Sequence, residues 1–494
     1  MPTIAGTLRS TARRVPDAEA LQFGDRLLSY RELDLEVDRY ATALRDLGVV
    51  QGDRVCLMSG NSDLFVLAFY AVQRLGAVLV PVNPASAPPE VAHLVDDASA
   101  SVLLVAAALT ERVPADCPAT TLEDLAASAA TASPYGDDVE VLESDDALIL
   151  YTSGTTGKPK GALFDHHRTL TVATSMIGSL GQRAGDRFLH VAPLYHAAEL
   201  AIMLVPGTLL GAKHVVLPGF DPAAVLDVME RERITMFFGV PTMFQVMMRV
   251  PGAGDRDLSS WRTGLFGAAP MPAHAVEQMV RTWPGVAFMQ LCGQTEGGPS
   301  GIYSTHEQVV ARPDASGRQG VIFTEVRVVD QEFRDVAPGE TGELLLRSET
   351  VMKGYWRNPE ATAAAFHNGW LRTGDIARLD DDGYLTLVDR LKDMIITGGR
   401  NVYSIEVESA IASHPAVVDA AVVARPHEDF GESIVAVVTL AEGAELTLDD
   451  LREHCRSQIA DYKLPHDLVV ASIPRNASGK ILKHRLREEV VAPG

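Results

Sequence analysis

The chain has 494 residues, with 43 Lys and Arg against 65 Asp and Glu, a formal net charge of −22. Such a surface repels nucleic acid and anionic membrane unless one basic patch stands apart, and the sequence holds no Lys/Arg block that forms one. Hydrophobic residues at 47% and charged residues at 22% are ordinary for a globular protein, and the length exceeds what one core supports, so at least two domains are expected.

In chain order, the N-terminal MPTIAGTLRSTARRV has arginines but no apolar stretch behind them, unlike a secretory signal. The apolar runs at 64–72 and 101–109 are too short to span a bilayer. Cys56, Cys117, Cys292 and Cys455 are far apart and lack metal-ligand spacing, so no disulfide framework is expected and a cytoplasmic location fits. Residues 54–59 read as a short strand ending at Gly60-Asn61. Phe65, Phe69, Val72 and Leu75 recur at helical spacing, and 77–82 is β-rich again. This is a βαβ unit, which implies a parallel sheet. Residues 115–138 read as a surface helix and loop without chemistry. Residues 147–151 and 235–239 read as further strands, and no internal repeat is visible. From 404 onward the pattern is helix, strand, strand, helix, strand, a small α+β domain. The predicted fold class is therefore α/β: a large N-terminal region of parallel or mixed sheets with helices, 1–391, and a small α+β C-terminal domain, 392–494.

The stretch YTSGTTGKPKG at 151–161 carries the strongest chemical signal. Gly154 and Gly157 permit tight turns whose N–H groups surround phosphate oxygens. Ser153, Thr155 and Thr156 add hydroxyls, and Lys158 and Lys160 add charge. It is not a Walker A loop, because G-x-x-x-x-G-K-[ST] is not matched. Further motifs follow in order: PLYH at 193–196, GAAP at 267–270, GQTE at 293–296, TGD at 373–375, DRLKD at 389–393, GGRNVYSIEVE at 398–408 and PRNASGK at 474–480.

Together these motifs resemble the adenylate-forming enzymes, among them acyl-CoA synthetases, aryl-CoA ligases, luciferases and peptide-synthetase adenylation domains, over essentially the whole chain. The resemblance implies a carboxylate attacking the α-phosphate of ATP, expelling pyrophosphate and leaving an acyl-adenylate. It implies an ATP site of Thr152, Ser153, Gly154, Thr155, Thr156, Gly157 and Lys160, with Gly267, Ala268, Ala269, Cys292, Gly293, Gln294 and Thr295. Asp375 and Arg390 would reach the ribose. Mg2+ would be held by Glu296 with help from Thr152. Lys480 would span the α-phosphate and the attacking carboxylate, and His196 would lie near that carboxylate; a histidine simply buried under a loop is the competing reading. In the second half-reaction the small domain would rotate about Lys392, Gly398 and Gly399 would line the pantetheine channel, and the thiol of CoA would attack the adenylate. Homodimers occur in the family.

The sequence departs from the family pattern at three places. Cys292 stands where an aromatic residue usually stacks on adenine. Glu199 stands where many CoA ligases have glycine, and either recognises an amino or hydroxyl group of the substrate, or faces away or pairs with an arginine. Arg400 and Ser404 replace the more usual Glu and Pro. An apolar acyl pocket is expected from Met203, Phe238, Val240, Met243 and Met289 beside Glu199, suited to a medium fatty or aromatic acid. The expected function is an AMP-forming acyl- or aryl-CoA synthetase using ATP, Mg2+ and CoA. Transfer to a carrier-protein thiol, and a non-catalytic nucleotide- or acyl-binding protein, are the alternatives.

Overall fold

The computed structural model describes residues 2–136, 139–152, 159–269, 271–475 and 481–490. By internal contacts the chain forms two units. The first is Met1–Pro313, Gly317–Val326 and Leu346–Leu371, and the second is Asp314–Ser316, Arg327–Leu345 and Arg372–Gly494. Unit 2 thus takes over at Arg372 rather than at 391/392. The hinge expected at Lys392 concerns motion, which the compactness of the units does not address.

Unit 1 contains two large sheets. The βαβ unit expected near its start is present as strand Arg54–Met58, helix Asp63–Arg74 and strand Val78–Val82. The strands pair in parallel, Arg54 opposite Val78 through Met58 opposite Val82. Ser62 begins the helix by accepting the N–H of Phe65 on its side chain, and Gly76 at φ +67 follows its end. Every residue from Phe65 to Arg74 is buried. The buried guanidinium of Arg74 is paired with Asp34 at 2.6 Å and Asp38 at 2.5 Å, as a charge in that position requires. This sheet has seven strands, in the order Gly354–Tyr355, Lys160–Asp165, Asp146–Thr152, Val78–Val82, Arg54–Met58, Val102–Val105, Ala119–Thr121. The last strand falls within 115–138, which reads in sequence as helix and loop only. Helix Leu122–Thr131 is there, but three residues ahead of it pair in parallel with Val102–Val105. So short an edge strand shows no alternation of its own.

The second sheet of unit 1 has nine strands. Its parallel core runs Ala287–Gly293, Thr263–Gly267, Met236–Gly239, Arg187–His190, Lys213–Val216, Glu19–Phe23, with antiparallel strands at both edges. Strands buried on both faces read as continuous apolar runs, and the period of two assigns each residue to a face. Leu189, Phe237, Phe266 and Phe288 enter one core with Phe244, Trp261 and Trp283. Phe188, Met236, Phe238, Leu265 and Met289 enter the opposite one, with Ala201, Ile202 and Met203 from a π-helical turn at Glu199–Leu204.

Strand Trp370–Leu379, which enters unit 2 at Arg372, and strand Leu385–Arg390 form an antiparallel pair that sets Asp375 opposite Arg390. The small α+β domain follows as expected. Helices Ser404–Ala412 and Leu448–Arg456 cover strands Val417–His427, Gly431–Leu440 and Asp467–Val470, around Val407, Ile411, Val422, Ile434, Ala436 and Leu451. Among the described residues, no helix is long and apolar enough to cross a membrane.

Candidate active site

Strand Asp146–Thr152 leads into the Gly/Thr-rich stretch, and Thr152 pairs with Lys160 where the chain returns. Ser153, Gly154, Thr155, Thr156, Gly157 and Lys158 lie outside the described residues. At the strand's end the Thr152 hydroxyl donates to Glu296 Oε1 at 3.1 Å. The Tyr355 hydroxyl donates to the same oxygen at 3.0 Å. The backbone C=O of Glu296 accepts from the N–H of Met352 at 2.9 Å, which fixes the turn Thr295–Gly297 that presents the carboxylate. Lys160 Nζ lies 5.3 Å from the centre of the Tyr355 ring. Burial, and next the negative charge of Glu296, raise the pKa of the Tyr355 phenol above its ordinary value. One carboxylate with two hydroxyls is an all-oxygen donor set, which suits a hard divalent cation whose remaining positions are filled by water or phosphate. Among the described residues, no group of three or more His, Cys, Asp or Glu could hold a metal by protein ligands alone.

The segments on either side of this carboxylate are packed too closely for side chains. A Cβ on Gly267 would stand 2.0 Å from the Leu291 carbonyl oxygen, and one on Gly293 would stand 2.1 Å from that of Pro299. Ala268 follows Gly267 at φ 66, a left-handed conformation that costs a non-glycine residue about 1 kcal/mol and tends to occur at functional sites. Ala268 is exposed and Ala269 half-buried. Cys292 is half-buried at the end of strand Ala287–Gly293, and its Sγ is 3.9 Å from Gln290 Nε2. Gln294 and Thr295 follow, both half-buried.

His196 lies between strand Arg187–His190 and the π-helical turn. Its ring is 4.5 Å from that of Tyr195, and its buried Nε2 has no hydrogen-bond partner among the described residues. Burial lowers its pKa to about 4, so the imidazole is neutral at pH 7 and Nε2 is free to meet a bound group. Met203, Phe238 and Met289 are brought together in one apolar cluster. Val240 is buried just before helix Pro241–Met248, and Met243 is half-buried on that helix.

Glu199 is paired with a histidine, not with the arginine considered from sequence. Its Oε1 is 2.6 Å from His190 Nδ1, and both side chains are 0% exposed. Its Oε2 is buried with no partner among the described residues. Burial raises the carboxyl pKa well above its usual range and lowers His190 to about 3, so the contact is a neutral hydrogen bond rather than an ion pair.

In unit 2, Asp375 and Arg390 form an ion pair at 2.5 Å. The N–H of Asp375 donates to Thr373 Oγ1 at 3.0 Å, and that hydroxyl donates to the Leu344 carbonyl at 2.7 Å. Lys392 is exposed. Gly398 and Gly399, at φ +55 and +74, make the exposed turn between strands Ile395–Thr397 and Arg400–Val402. Arg400 lies 4.9 Å from the ring centre of Tyr462. Ser404 donates both its N–H and, at 3.0 Å, its hydroxyl to Asp389, and Lys483 donates to the Ser404 hydroxyl at 2.5 Å. A proline at 404 would supply neither donor. Lys480 lies outside the described residues.

Tyr355 and His190, which the structure brings against the candidate residues Glu296 and Glu199, are not singled out by the sequence reading. Tyr355 stands in K-G-Y-W at 353–356, more than fifty residues from Glu296, with only an aromatic pair after glycine as a signal. His190 is one polar residue at the end of an apolar strand, and nothing local marks it.

The family model described as AMP-binding enzyme matches residues 8–356, and that of the AMP-binding enzyme C-terminal domain matches 406–480. A feruloyl-CoA synthase of an Amycolatopsis species is 39% identical over 477 residues, covering 96% of this chain and 96% of that protein. A long-chain-fatty-acid–CoA ligase of Mycobacterium tuberculosis is 35% identical over 512 residues, covering 100% of this chain and 99% of the relative. Among solved structures, the o-succinylbenzoate CoA synthetase of Bacillus subtilis in complex with its acyl-adenylate intermediate is similar, with a TM-score of 0.90 and 29% identity over 97% of both chains.

Proposed function

The chain belongs to the AMP-binding enzymes, and on that premise we propose that it is an acid–thiol ligase. It activates an aromatic or medium-chain carboxylic acid with ATP and transfers the acyl group to CoA. An acid oxygen attacks the α-phosphorus as the bond to pyrophosphate breaks, giving the acyl-adenylate. The CoA sulfur then attacks the acyl carbon, its proton is lost, and AMP leaves. The observation that carries this reading is the Glu296 carboxylate, with the Thr152 and Tyr355 hydroxyls on one of its oxygens, at the exit of the strand that feeds the Gly/Thr-rich stretch.

Each residue has a role matched to its chemistry. Glu296 and Thr152 would hold Mg2+, which supplies neutralisation of phosphate charge when bound. Lys160 adds positive charge beside them, and the backbone of Gly267, Ala268, Ala269 and Gly293 allows close approach of the nucleotide. Asp375 and Arg390 bind the ribose, their mutual ion pair holding both side chains in place. His196, neutral and with Nε2 unpartnered, orients the acid carboxylate by donating a hydrogen bond. Lys480 bridges that carboxylate and the α-phosphate, Lys392 is the hinge between half-reactions, and Gly398 and Gly399 line the path of the pantetheine arm. Met203, Phe238, Val240, Met243 and Met289 offer apolar, adaptable contact to the acyl group.

The test is pyrophosphate release with ATP and Mg2+ against fatty, benzoic and cinnamic acids, each with and without CoA. Turnover that requires both an acid and CoA, with the acyl-CoA seen by mass spectrometry, is the expected result. Adenylate formation without use of CoA would assign the acyl group to another acceptor, such as a carrier-protein thiol. Silence with every acid would reject the ligase reading.

A further inference from the structure

We propose, on the reading that Glu296 serves a Mg2+ bound with the nucleotide, that Tyr355 is a positioning residue for both charges of the nucleotide site. Its hydroxyl holds Glu296 by Oε1 and leaves Oε2 for the cation, and its ring keeps the Lys160 ammonium apart from that carboxylate.

One stretch of chain grips Glu296 by its backbone and its side chain. The Met352 N–H donates to the Glu296 carbonyl at 2.9 Å, and the Thr350 hydroxyl donates to the next carbonyl, that of Gly297, at 3.0 Å. Further along, the Tyr355 hydroxyl reaches the Glu296 carboxylate at 3.0 Å, and the Thr152 hydroxyl meets it at 3.1 Å. A carboxylate only accepts, so each hydroxyl donates, and both donate to Oε1. Each carboxylate oxygen has about two acceptor sites, so Oε1 is filled. Among the described residues nothing bonds to Oε2, and the half-buried group presents that oxygen. A hard divalent cation takes an oxygen with free lone pairs, which Oε2 has and Oε1 has not. A hydroxyl that gives its proton away keeps its own oxygen for a cation, so Thr152 can serve Glu296 and the metal together.

Tyr355 can hold another side chain because it is itself held. It ends the edge strand Gly354–Tyr355, opposite Ala162 of strand Lys160–Asp165. Its N–H donates to Thr362 Oγ1 at 2.9 Å, and the N–H of Trp356 after it donates to the Gly161 carbonyl at 2.7 Å. The Trp356 indole N–H donates to the Asp97 carbonyl at 3.1 Å. Lys160 begins the neighbouring strand, and its Nζ lies 5.3 Å from the centre of the Tyr355 ring, inside the cation–π range of about 6 Å. Tyr355 therefore touches the carboxylate with its hydroxyl and the ammonium with its face. No ion pair joins Lys160 to Glu296 among the described residues, although both meet the same tyrosine. An ammonium that reached Glu296 would satisfy the carboxylate in the cation's place and would itself be lost to the phosphates. The ring between them keeps the negative group for the metal and the positive group for the nucleotide.

The experiment follows binding of α,β-methylene-ATP, in which CH2 replaces the oxygen that would leave, by calorimetry as free Mg2+ is raised, with no acid and no turnover. The nucleotide's own affinity for Mg2+ is common to every variant, so a difference between variants belongs to the protein. Tyr355→Phe keeps the ring and should raise the Mg2+ concentration of half-effect by about fivefold, with binding in the absence of Mg2+ unchanged. Tyr355→Leu removes the ring as well and should also weaken metal-free binding by about threefold, because Lys160 then pairs with Glu296. Adding Glu296→Gln to Tyr355→Leu should restore the metal-free affinity, which a merely structural role of the tyrosine would not do. An unchanged Mg2+ half-effect in the Phe variant would overturn the proposal, as would an equal loss of binding with and without Mg2+. If the Leu variant does not fold, Tyr355→Met tests the ring, and metal-free affinity kept in the folded variant would overturn the ring's part. Nucleotide binding that ignores Mg2+ in the unmodified protein would reject this inference and leave the ligase reading to the pyrophosphate test, whereas no nucleotide binding at all would remove both.

Discussion

Two glutamates of unit 1 have opposite surroundings. Glu296 is half-buried on a short turn, with two hydroxyls donating to one oxygen and the Lys160 ammonium nearby over the Tyr355 ring. Glu199 is sealed, with a histidine as its one partner among the described residues and a second oxygen without any. The first environment suits a carboxylate that works by its charge on a cation and its phosphates. The second suits a neutral acid that works by hydrogen bonding, since a charge there has nothing to pay for its desolvation. The same residue type is therefore assigned opposite tasks, and substitutions that remove charge but keep shape separate them.

The largest effect belongs to neither glutamate but sets the scale. Lys480→Ala should lower adenylate formation by roughly 100-fold or more while the thioester step from supplied adenylate is largely kept. Equal loss in both half-reactions would contradict the two-conformation assignment. Glu296→Gln should cost about 100-fold in pyrophosphate release and raise the Mg2+ concentration required, whereas Glu199→Gln, whose partner is His190, should leave the Mg2+ requirement unchanged. If both Gln variants behaved alike, the contrast between the two sites would fail.

Stability against pH sharpens the comparison. His166 and His196 are lowered to about 4 and His190 to about 3, from 6.5. Between those values the unfolded chain binds more protons than the folded one. Stability is therefore full above about pH 6.5 and is lost as pH falls toward 4, by up to about 1.4 kcal/mol per pH unit for each group. Glu199 has the opposite sign. Its raised pKa means the folded chain keeps a proton the unfolded chain releases above 4.5, so its contribution declines as pH rises from there. Glu199→Gln should remove that alkaline decline and leave the acid one, as read from Tm across pH 4 to 8. An unchanged alkaline limb would show that Glu199 is not protonated in the folded protein. The smallest effect is that of Tyr355→Phe, which removes one of two donors to Glu296. It should weaken Mg2+ dependence by a few-fold, about 1 kcal/mol, in the same titration.

The region around Glu296 was legible because its residues sit in motifs, and a motif survives as a local string whatever the fold does around it. Thr152, Gly267, Gly293 and Glu296 were all identified in that way. What the strings did not contain was Tyr355, which reaches Glu296 from the edge strand of the other sheet of unit 1. The short strand Ala119–Thr121 was missed for a related reason: its partner, not its own pattern, makes it a strand. Ser404 was seen as a departure from proline, but it begins a helix and its partner Asp389 lies on the strand Leu385–Arg390, so the reason for a donor at that position was not visible.

The sequence by itself determined the α/β class, the βαβ unit at 54–82, the order of elements in the C-terminal domain and the family, because periodicity and motifs are properties of neighbouring residues. The tertiary structure alone decided what Glu199 is. Its partner His190 ends a different element, His214 and Thr208 extend the hydrogen-bonded contacts from two more, and Tyr70 from a fourth. Desolvation, which sets the protonation of all of them, depends on what surrounds a group in space, and the spacing of residues along the chain does not carry that information.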